Sequence, residues 1–371
     1  MSEPPRENTP RFTAVISKLP VTTPFVAPEA LERQRGIELR LRLGANESNF
    51  GTSPVAIAAM HAAAGRANLY GDPESHEMRS ALSHVLKVPT QSLVVGNGID
   101  GLLGYAVRAF VEPGVNVVTS LGTYPTFNYH VAAHGGVIHR VPYCDDRVDL
   151  QTLSDTVRAQ RARMVYLANP DNPSGTWHHR DDISRFISDL PQDCVLILDE
   201  AYFEFGADDT IPALSVDQPN IIRMRTFSKA HGMAGARIGY AIAHPEVIAA
   251  FGKFRNQFEV SRISQAGAVA SLGDPDFVQA VIGAVDEGRS DYAELAADLG
   301  LETIPSATNF VCIDVGGPDR ARLVVTDLLK RGVFVRMPGE APLHRCIRVT
   351  VGTSAERVLF AQAFREVLNG I

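Results

Sequence analysis

Residues 225–240 read R-T-F-S-K-A-H-G-M-A-G-A-R-I-G-Y. The apolar run I-I-R-M-R-T-F (221–227) has the character of a buried strand, and it breaks at Lys229 into a glycine-rich segment. Only five of the chain's 35 basic residues are lysines. Where arginine is so favoured, a lysine between Thr226, Ser228 and Arg237 points to a need for an amine that can lose its proton. An amine can form a Schiff base; a guanidinium cannot. Taken alone, the segment also reads as a solvated lysine at a helix start, with serine as N-cap.

Working outward, short β-branched runs alternate with amphipathic ones. S-L-V-V (92–95), N-V-V-T-S (116–120), M-V-Y-L-A (164–168) and C-V-L-I-L (194–198) read as further buried strands, while 100–111 and 180–190 have helical spacing. This order predicts an α/β fold with a mostly parallel sheet covered by helices. From about residue 275 the pattern changes to a long helix, N-F-V-C-I-D-V, a helix at 319–331, G-V-F-V-R and C-I-R-V-T-V. At 371 residues the chain exceeds the usual size of a single core. We therefore expect a large domain over 46–275, a smaller α+β domain over 276–371, and an irregular proline-rich arm over 1–45 that packs on the small domain or on a neighbouring subunit.

Composition narrows the function. A net charge of −7 without a basic run argues against nucleic acid and anionic membranes as partners. Cys144, Cys194, Cys312 and Cys346 lack metal-ligand spacing and lie in or near apolar runs, so buried free thiols in a reducing compartment are expected. The N-terminus M-S-E-P-P-R-E-N-T-P has no apolar signal core, and no stretch reaches eighteen apolar residues. The expected location is the cytoplasm.

Several motifs fall at the C-terminal ends of these strands, where open α/β sheets bind ligands. G-N-G-I-D-G follows the first strand and opens a helix, so the amides of Gly98, Ile99 and Asp100 face an anion or simply form a structural turn. Tyr124 in L-G-T-Y-P offers a ring for stacking, or is an ordinary turn tyrosine. In N-P-D-N-P-S-G (169–175) two prolines stiffen the loop around Asn172. Asp199, in D-E-A-Y with Tyr202, ends a buried strand, where a carboxylate needs a cation or several donors. A pyridinium nitrogen is such a cation; a metal or a helix cap is the alternative, and no second cluster of carboxylates or histidines supports a metal. Thr226, Ser228 and Arg237 supply phosphate donors beside Lys229. Pyridoxal 5'-phosphate is the cofactor that uses all of these at once.

Taken in order, G-N-G-I-D, T-Y-P, N-P-D-N-P-S-G, D-E-A-Y, T-F-S-K and A-G-A-R-I-G-Y resemble the class I/II fold-type I aminotransferases, and among them the histidinol-phosphate aminotransferase-like branch. A-N-E-S-N-F-G (45–51), Y-G-D-P (70–73), P-S-A-T-N-F-V (305–311) and C-I-R-V-T-V-G-T (346–353) extend the resemblance from about residue 45 to the end. It implies the fold-type I transferase architecture, with a seven-stranded-type sheet in the large domain and a small α+β domain. It also implies Lys229 as Schiff-base residue and proton shuttle, Asp199 on the pyridine nitrogen, Asn172 and Tyr202 on the phenolic oxygen, and Tyr124 on the ring. Gly98, Ile99, Asp100, Thr226, Ser228 and Arg237 would then lie at the phosphate, Tyr70 would reach the partner subunit's cofactor in a homodimer, and Arg348 and Arg336 would lie at the substrate's anionic group.

The chain departs from the branch in places. Phe25, in T-T-P-F-V-A-P-E, stands where members specific for histidinol phosphate carry a tyrosine that helps hold the substrate phosphate, which favours an apolar or aromatic donor side chain. Gly71 replaces the proline of Y-P-D-P, and D-N-P-S-G replaces N-N-P-T-G. The expectation is a pyridoxal-phosphate-dependent aminotransferase running a ping-pong cycle between an amino donor and a 2-oxo acid acceptor. A decarboxylase or lyase resembling the threonine-phosphate decarboxylases is the alternative. A regulatory protein on the same fold would need a DNA-binding module and a basic face, for which this chain has no room.

Overall fold

The computed structural model describes residues 10–21, 26–207 and 209–371. Seven strands form the principal sheet: β1 (Leu93–Gly96), β2 (Asn116–Ser120), β3 (Val137–Val141), β4 (Met164–Ala168), β5 (Val195–Asp199), β6 (Ile221–Thr226) and β7 (Gly239–Ala243). Their order across the sheet is β1-β7-β6-β5-β4-β2-β3. Strand β7 is antiparallel to both its neighbours and every other pair is parallel.

The continuous apolar runs exist because β4, β5 and β6 are buried at every position, with core on both faces of the sheet. Met164, Tyr166 and Ala168 pack with Leu102, Leu103 and Val107 of the helix Gly98–Phe110. Val165 and Leu167 point the other way, onto Leu153, Val157, Ile183 and Phe186 of the helices Leu150–Gln160 and Arg180–Asp189. This is the two-residue period of a strand read out as two separate cores.

Within the principal sheet the strand boundaries read from the sequence shift by at most one residue, but two of its strands escaped that reading. β3 is a sheet edge whose first four residues are exposed or half-buried, so it lacks the apolar continuity of its neighbours. β7 lies in the segment whose glycines and arginine drew attention as a motif.

A second, antiparallel sheet is formed by β8 (Glu302–Ile304), β9 (Phe310–Asp314) and β10 (Cys346–Thr350). The helices Pro275–Asp298, Pro318–Lys330 and Ser354–Leu368 share its core. The first of these starts at Asp274, which accepts from the Phe277 amide at 3.4 Å, with Pro275 at the first helical position.

The N-terminal segment is not wholly irregular, contrary to the expectation for residues 1–45. Pro28–Arg35 is a helix closed by Gly36 at φ 63°, and Leu41–Arg42 pairs in parallel with Val333–Phe334. Leu41 and Leu43 join the core that covers the small sheet. The cysteines also need one correction: all four are free, and Cys194, Cys312 and Cys346 are buried, but Cys144 is exposed, because it sits on a two-residue hairpin strand at the surface.

Candidate functional site

A cavity of about 1060 Å³ opens where β4, β5 and β6 end, at Ala168, Asp199 and Thr226. Of the residues singled out above, Ile99, Asp100, Tyr124, Asn172, Asp199, Tyr202, Thr226, Ser228, Lys229, Arg237, Arg336 and Arg348 all line it. They come from seven separate stretches of chain.

Lys229 follows β6 directly. Its Nζ donates to the Asn46 carbonyl at 2.7 Å and lies 5.5 Å from the centre of the Tyr202 ring. Burial first, then the positive charges of Arg348 and Arg237, bring its pKa from 10.5 down to about 8, with Glu47 and Asp100 opposing. The turn beyond it is held by close backbone approach. At Gly232, φ is +68° and a Cβ would stand 1.8 Å from the Gly51 carbonyl oxygen, while Thr52 Oγ1 donates to the Gly232 carbonyl at 2.6 Å.

Asp199, the last residue of β5, is 4% exposed. Its carboxylate accepts from the Tyr166 hydroxyl at 2.6 Å and from the Ala201 amide at 3.0 Å. Burial nevertheless pushes it up to about 6, since neither donor carries a positive charge. A buried carboxylate so placed at a cavity wall is a site for a cationic N–H. Tyr202 accepts on its hydroxyl from Asn46 Nδ2 at 2.9 Å and Asn172 Nδ2 at 3.3 Å, and burial raises it to about 12. Tyr124 caps the helix Pro125–Ala133 on the same cavity, its hydroxyl pushed up by burial and the nearby Asp100 charge.

At the other wall, the helix Gly98–Phe110 begins without a side-chain cap, leaving its first amides for an outside acceptor. Gly98 itself does not line the cavity. Its φ is +70° and a Cβ would lie 2.6 Å from Arg237 Nη2, so glycine lets the guanidinium reach this helix start. Arg237 Nη2 pairs with the Asp100 carboxylate at 3.2 Å, and Nη1 donates to the Ala234 carbonyl at 2.9 Å and reaches Ser228 Oγ at 3.5 Å. Thr226 Oγ1 donates to Ser228 Oγ at 2.9 Å. Unfilled helix amides, two hydroxyls and a guanidinium form a donor set suited to a phosphate dianion.

Arg348, on β10, donates from Nη1 to Asn172 Oδ1 at 2.6 Å and from Nη2 to the Gly44 carbonyl at 3.3 Å, and its buried Nε has no hydrogen-bond partner among the described residues. Arg336 Nε donates to the same Gly44 carbonyl at 2.9 Å and Nη2 to the Val26 carbonyl at 3.2 Å. Burial, and for Arg336 also the Arg348 charge, lowers both. Arg336 and Arg348 are bridge partners on one wall of the cavity, and two guanidiniums side by side there suit an anion.

Tyr70 is not in the cavity: it is 76% exposed and packs against Phe258, the rings tilted with centres 4.6 Å apart. Phe25 lies outside the described residues. Sequence reading missed two participants. Asn46 bonds both Lys229 and Tyr202 from more than 150 residues away, and its only signal was the motif A-N-E-S-N-F-G. Tyr166 looked like one more apolar strand residue; the signal was a hydroxyl inside a fully buried run. Among the described residues, no group of three His, Cys, Asp or Glu side chains is placed to hold a metal, and no helix is long and apolar enough to cross a membrane.

The crystal structure of histidinol-phosphate aminotransferase from Sinorhizobium meliloti in complex with pyridoxal-5'-phosphate superposes with a TM-score of 0.95 at 48% identity, covering 98% of this chain and 99% of that one. A putative histidinol-phosphate aminotransferase from Erwinia carotovora atroseptica superposes at 0.83 with 30% identity, covering 89% and 96%. Histidinol-phosphate aminotransferase 1 of Nitrosococcus oceani is 35% identical over 344 residues, 92% of this chain and 92% of that protein. The family profile "Aminotransferase class I and II" matches residues 40–364, and the chain belongs to that family.

Proposed function

We propose that this aminotransferase uses pyridoxal 5'-phosphate to move the amino group of histidinol phosphate onto a 2-oxo acid, in two half-reactions. The observation that carries the reading is Lys229: a buried amine whose pKa is brought to about 8, in one cavity with a phosphate-type donor set and a buried carboxylate lacking a cation.

In this reading Lys229 would be the amine that holds the cofactor's aldehyde, and once freed by the donor it would take up and return the proton at the donor's Cα. When bound, the cofactor supplies an electron-poor ring that accepts the electron pair left at Cα. Asp199, steadied by Tyr166 and the Ala201 amide, keeps the ring nitrogen protonated. Asn172 and Tyr202 donate to the phenolic oxygen, Tyr124 lies against the ring, and Asn46 holds both Tyr202 and the Lys229 amine. The phosphate falls to Ile99, Asp100, Thr226, Ser228 and Arg237, with Gly98 opening the space. Arg348 and Arg336 grip the donor's anionic end.

The rest of the reading follows the resemblance. The protein works as a cytoplasmic homodimer in which Tyr70 of one protomer reaches the other's phosphate site; an exposed tyrosine paired with an exposed phenylalanine supports such a contact. A large domain over 46–275 with the arm 1–45 and a small domain over 276–371 is the division we propose, supported by the separate cores of the two sheets.

Histidinol phosphate is the donor named in the relatives. A second reading, an aromatic amino acid as donor, is favoured by Phe25 in place of a phosphate-holding tyrosine. Mixing the holoprotein with single donors and following the cofactor spectrum separates the two. Conversion by histidinol phosphate supports the first, and conversion by aromatic amino acids alone replaces it. Carbon dioxide release without a keto product would turn the assignment to a lyase.

A further inference from the structure

The loop 169–175 carries a carboxylate that the proposed chemistry does not use. Asp171 is 2% exposed. Its Oδ2 accepts from the Ser174 hydroxyl at 2.7 Å, the Ser174 amide at 3.1 Å and the Tyr143 hydroxyl at 3.1 Å. Its backbone is fixed as well, with its amide bonded to the Thr176 carbonyl at 2.8 Å and its carbonyl to the Gly175 amide at 3.0 Å. The next residue, Asn172, accepts from Arg348 at 2.6 Å. Beyond it, Cys312 Sγ donates to the Pro173 carbonyl at 3.2 Å, and Cys312 is the register partner of Arg348 across β9 and β10. One rigid loop therefore presses an amide against the guanidinium and holds a carboxylate behind that amide.

The charges around this carboxylate are lopsided. Tyr143, Tyr166, Tyr202 and Cys312, which face it from four different elements, are all pushed upward by burial and are neutral near pH 7. Burial pushes Asp171 up to about 6, which still leaves it ionised at pH 8, and burial lowers Arg348; the nearby cation is Arg348, and each of the two charges opposes the effect of burial on the other. Arg348 has no ion pair among the described residues.

We infer that Asp171 is a positioning residue that sets the strength of the anion grip, its buried negative charge offsetting part of the positive potential that Arg348 presents to the anionic end of the donor. The inference rests on the reading of Arg348 as that grip. A moderated grip weakens donor and product alike, so it favours release of the anionic product over tight uniform binding. Asparagine at 171 removes the charge and keeps one oxygen as acceptor for Ser174 and Tyr143, while turning the other oxygen into an NH2 donor.

The test compares histidinol phosphate with histidinol, which lacks the phosphate, on holoenzyme at pH 8. For Asp171→Asn we expect KM for histidinol phosphate to fall about three- to tenfold, the order for one partly screened charge, with kcat not raised and KM for histidinol unchanged. Emission from Trp177, the chain's single tryptophan, six residues on, reports whether the loop is intact. If that emission shifts, Asp171→Ser, which also removes the charge, must show the same fall. Tyr143→Phe, which removes a hydrogen bond but not the charge, must not lower KM. An unchanged or raised KM for histidinol phosphate in both Asp171 variants, or an equal fall for histidinol, overturns the inference. Arg348→Gln separates the two ideas. If it raises KM for histidinol phosphate while the Asp171 variants do nothing, only the role of Asp171 fails; if it changes neither donor, the grip itself is wrong.

Discussion

The state of the Lys229 amine can be tested without turnover, by following how fast cofactor-free protein takes up pyridoxal phosphate. Only a neutral amine adds to an aldehyde. With its pKa brought from 10.5 to about 8, about a tenth of Lys229 is neutral at pH 7 and about nine tenths at pH 9, whereas an ordinary lysine is less than about a thousandth neutral at pH 7. Uptake monitored by visible absorbance should therefore rise about tenfold between pH 7 and pH 9 and then level off. Burial is the main cause and the charge of Arg348 the second. Arg348→Gln should accordingly move the plateau to higher pH, while Lys229→Ala should abolish the absorbance change. A rate that keeps climbing tenfold per pH unit beyond pH 9 would show an unperturbed amine and refute the reasoning.

Other consequences are equally direct. Arg237→Gln removes the guanidinium seated at the start of the helix Gly98–Phe110, and loss of a charge-assisted hydrogen bond of about 1.5–3 kcal/mol should weaken cofactor retention about ten- to a hundredfold in dialysis. Glu204 and His231 stand 3.8 Å apart, which looks like an ion pair, yet burial pushes Glu204 up to about 8 and His231 down to about 4, so near pH 7 neither is charged. Through Glu204 the folded state holds an extra proton between about pH 4.5 and 8, which lowers stability as pH rises, while His231 acts oppositely between about pH 4 and 6.5; the two nearly cancel up to about pH 6.5 and a net fall remains from there to about pH 8. Glu204→Gln should remove the Glu204 part and leave that of His231, so the variant gains about 3 kcal/mol relative to the wild type between pH 5 and pH 7 in urea denaturation, whereas identical pH profiles in both proteins would show an ionised Glu204. Gly232→Ala should lower the melting temperature sharply, since its Cβ meets the Gly51 carbonyl at 1.8 Å in a left-handed conformation, a strain of several kcal/mol; a variant that melts with the wild type would contradict that geometry.

How far the sequence could be read depended on the kind of interaction. β4, β5 and β6 were legible because burial on both faces forces unbroken apolar runs, and Asp199 stood out as a carboxylate at the end of one. Lys229, Thr226, Ser228 and Arg237 were legible as a group because they lie within twelve residues and share one chemistry. The exposed edge strand β3 and the exposed Cys144 were missed or misjudged for the opposite reason: surface positions place weak demands on residue type.

The sequence by itself determined the α/β pattern and grouped Lys229 with Thr226, Ser228 and Arg237, since these follow from periodicity and from residues close together in the chain. Only the tertiary structure decided that Asn46 meets Tyr202 and Lys229, that Tyr166 holds Asp199, and that Arg348 rests on the Asn172 loop with Asp171 behind it. Those contacts join residues 33 to 183 positions apart. Chain closure over such distances leaves no local trace, because the energy that selects each pairing comes from burial of the whole sheet and from the hydrogen bonds that buried polar groups must then find.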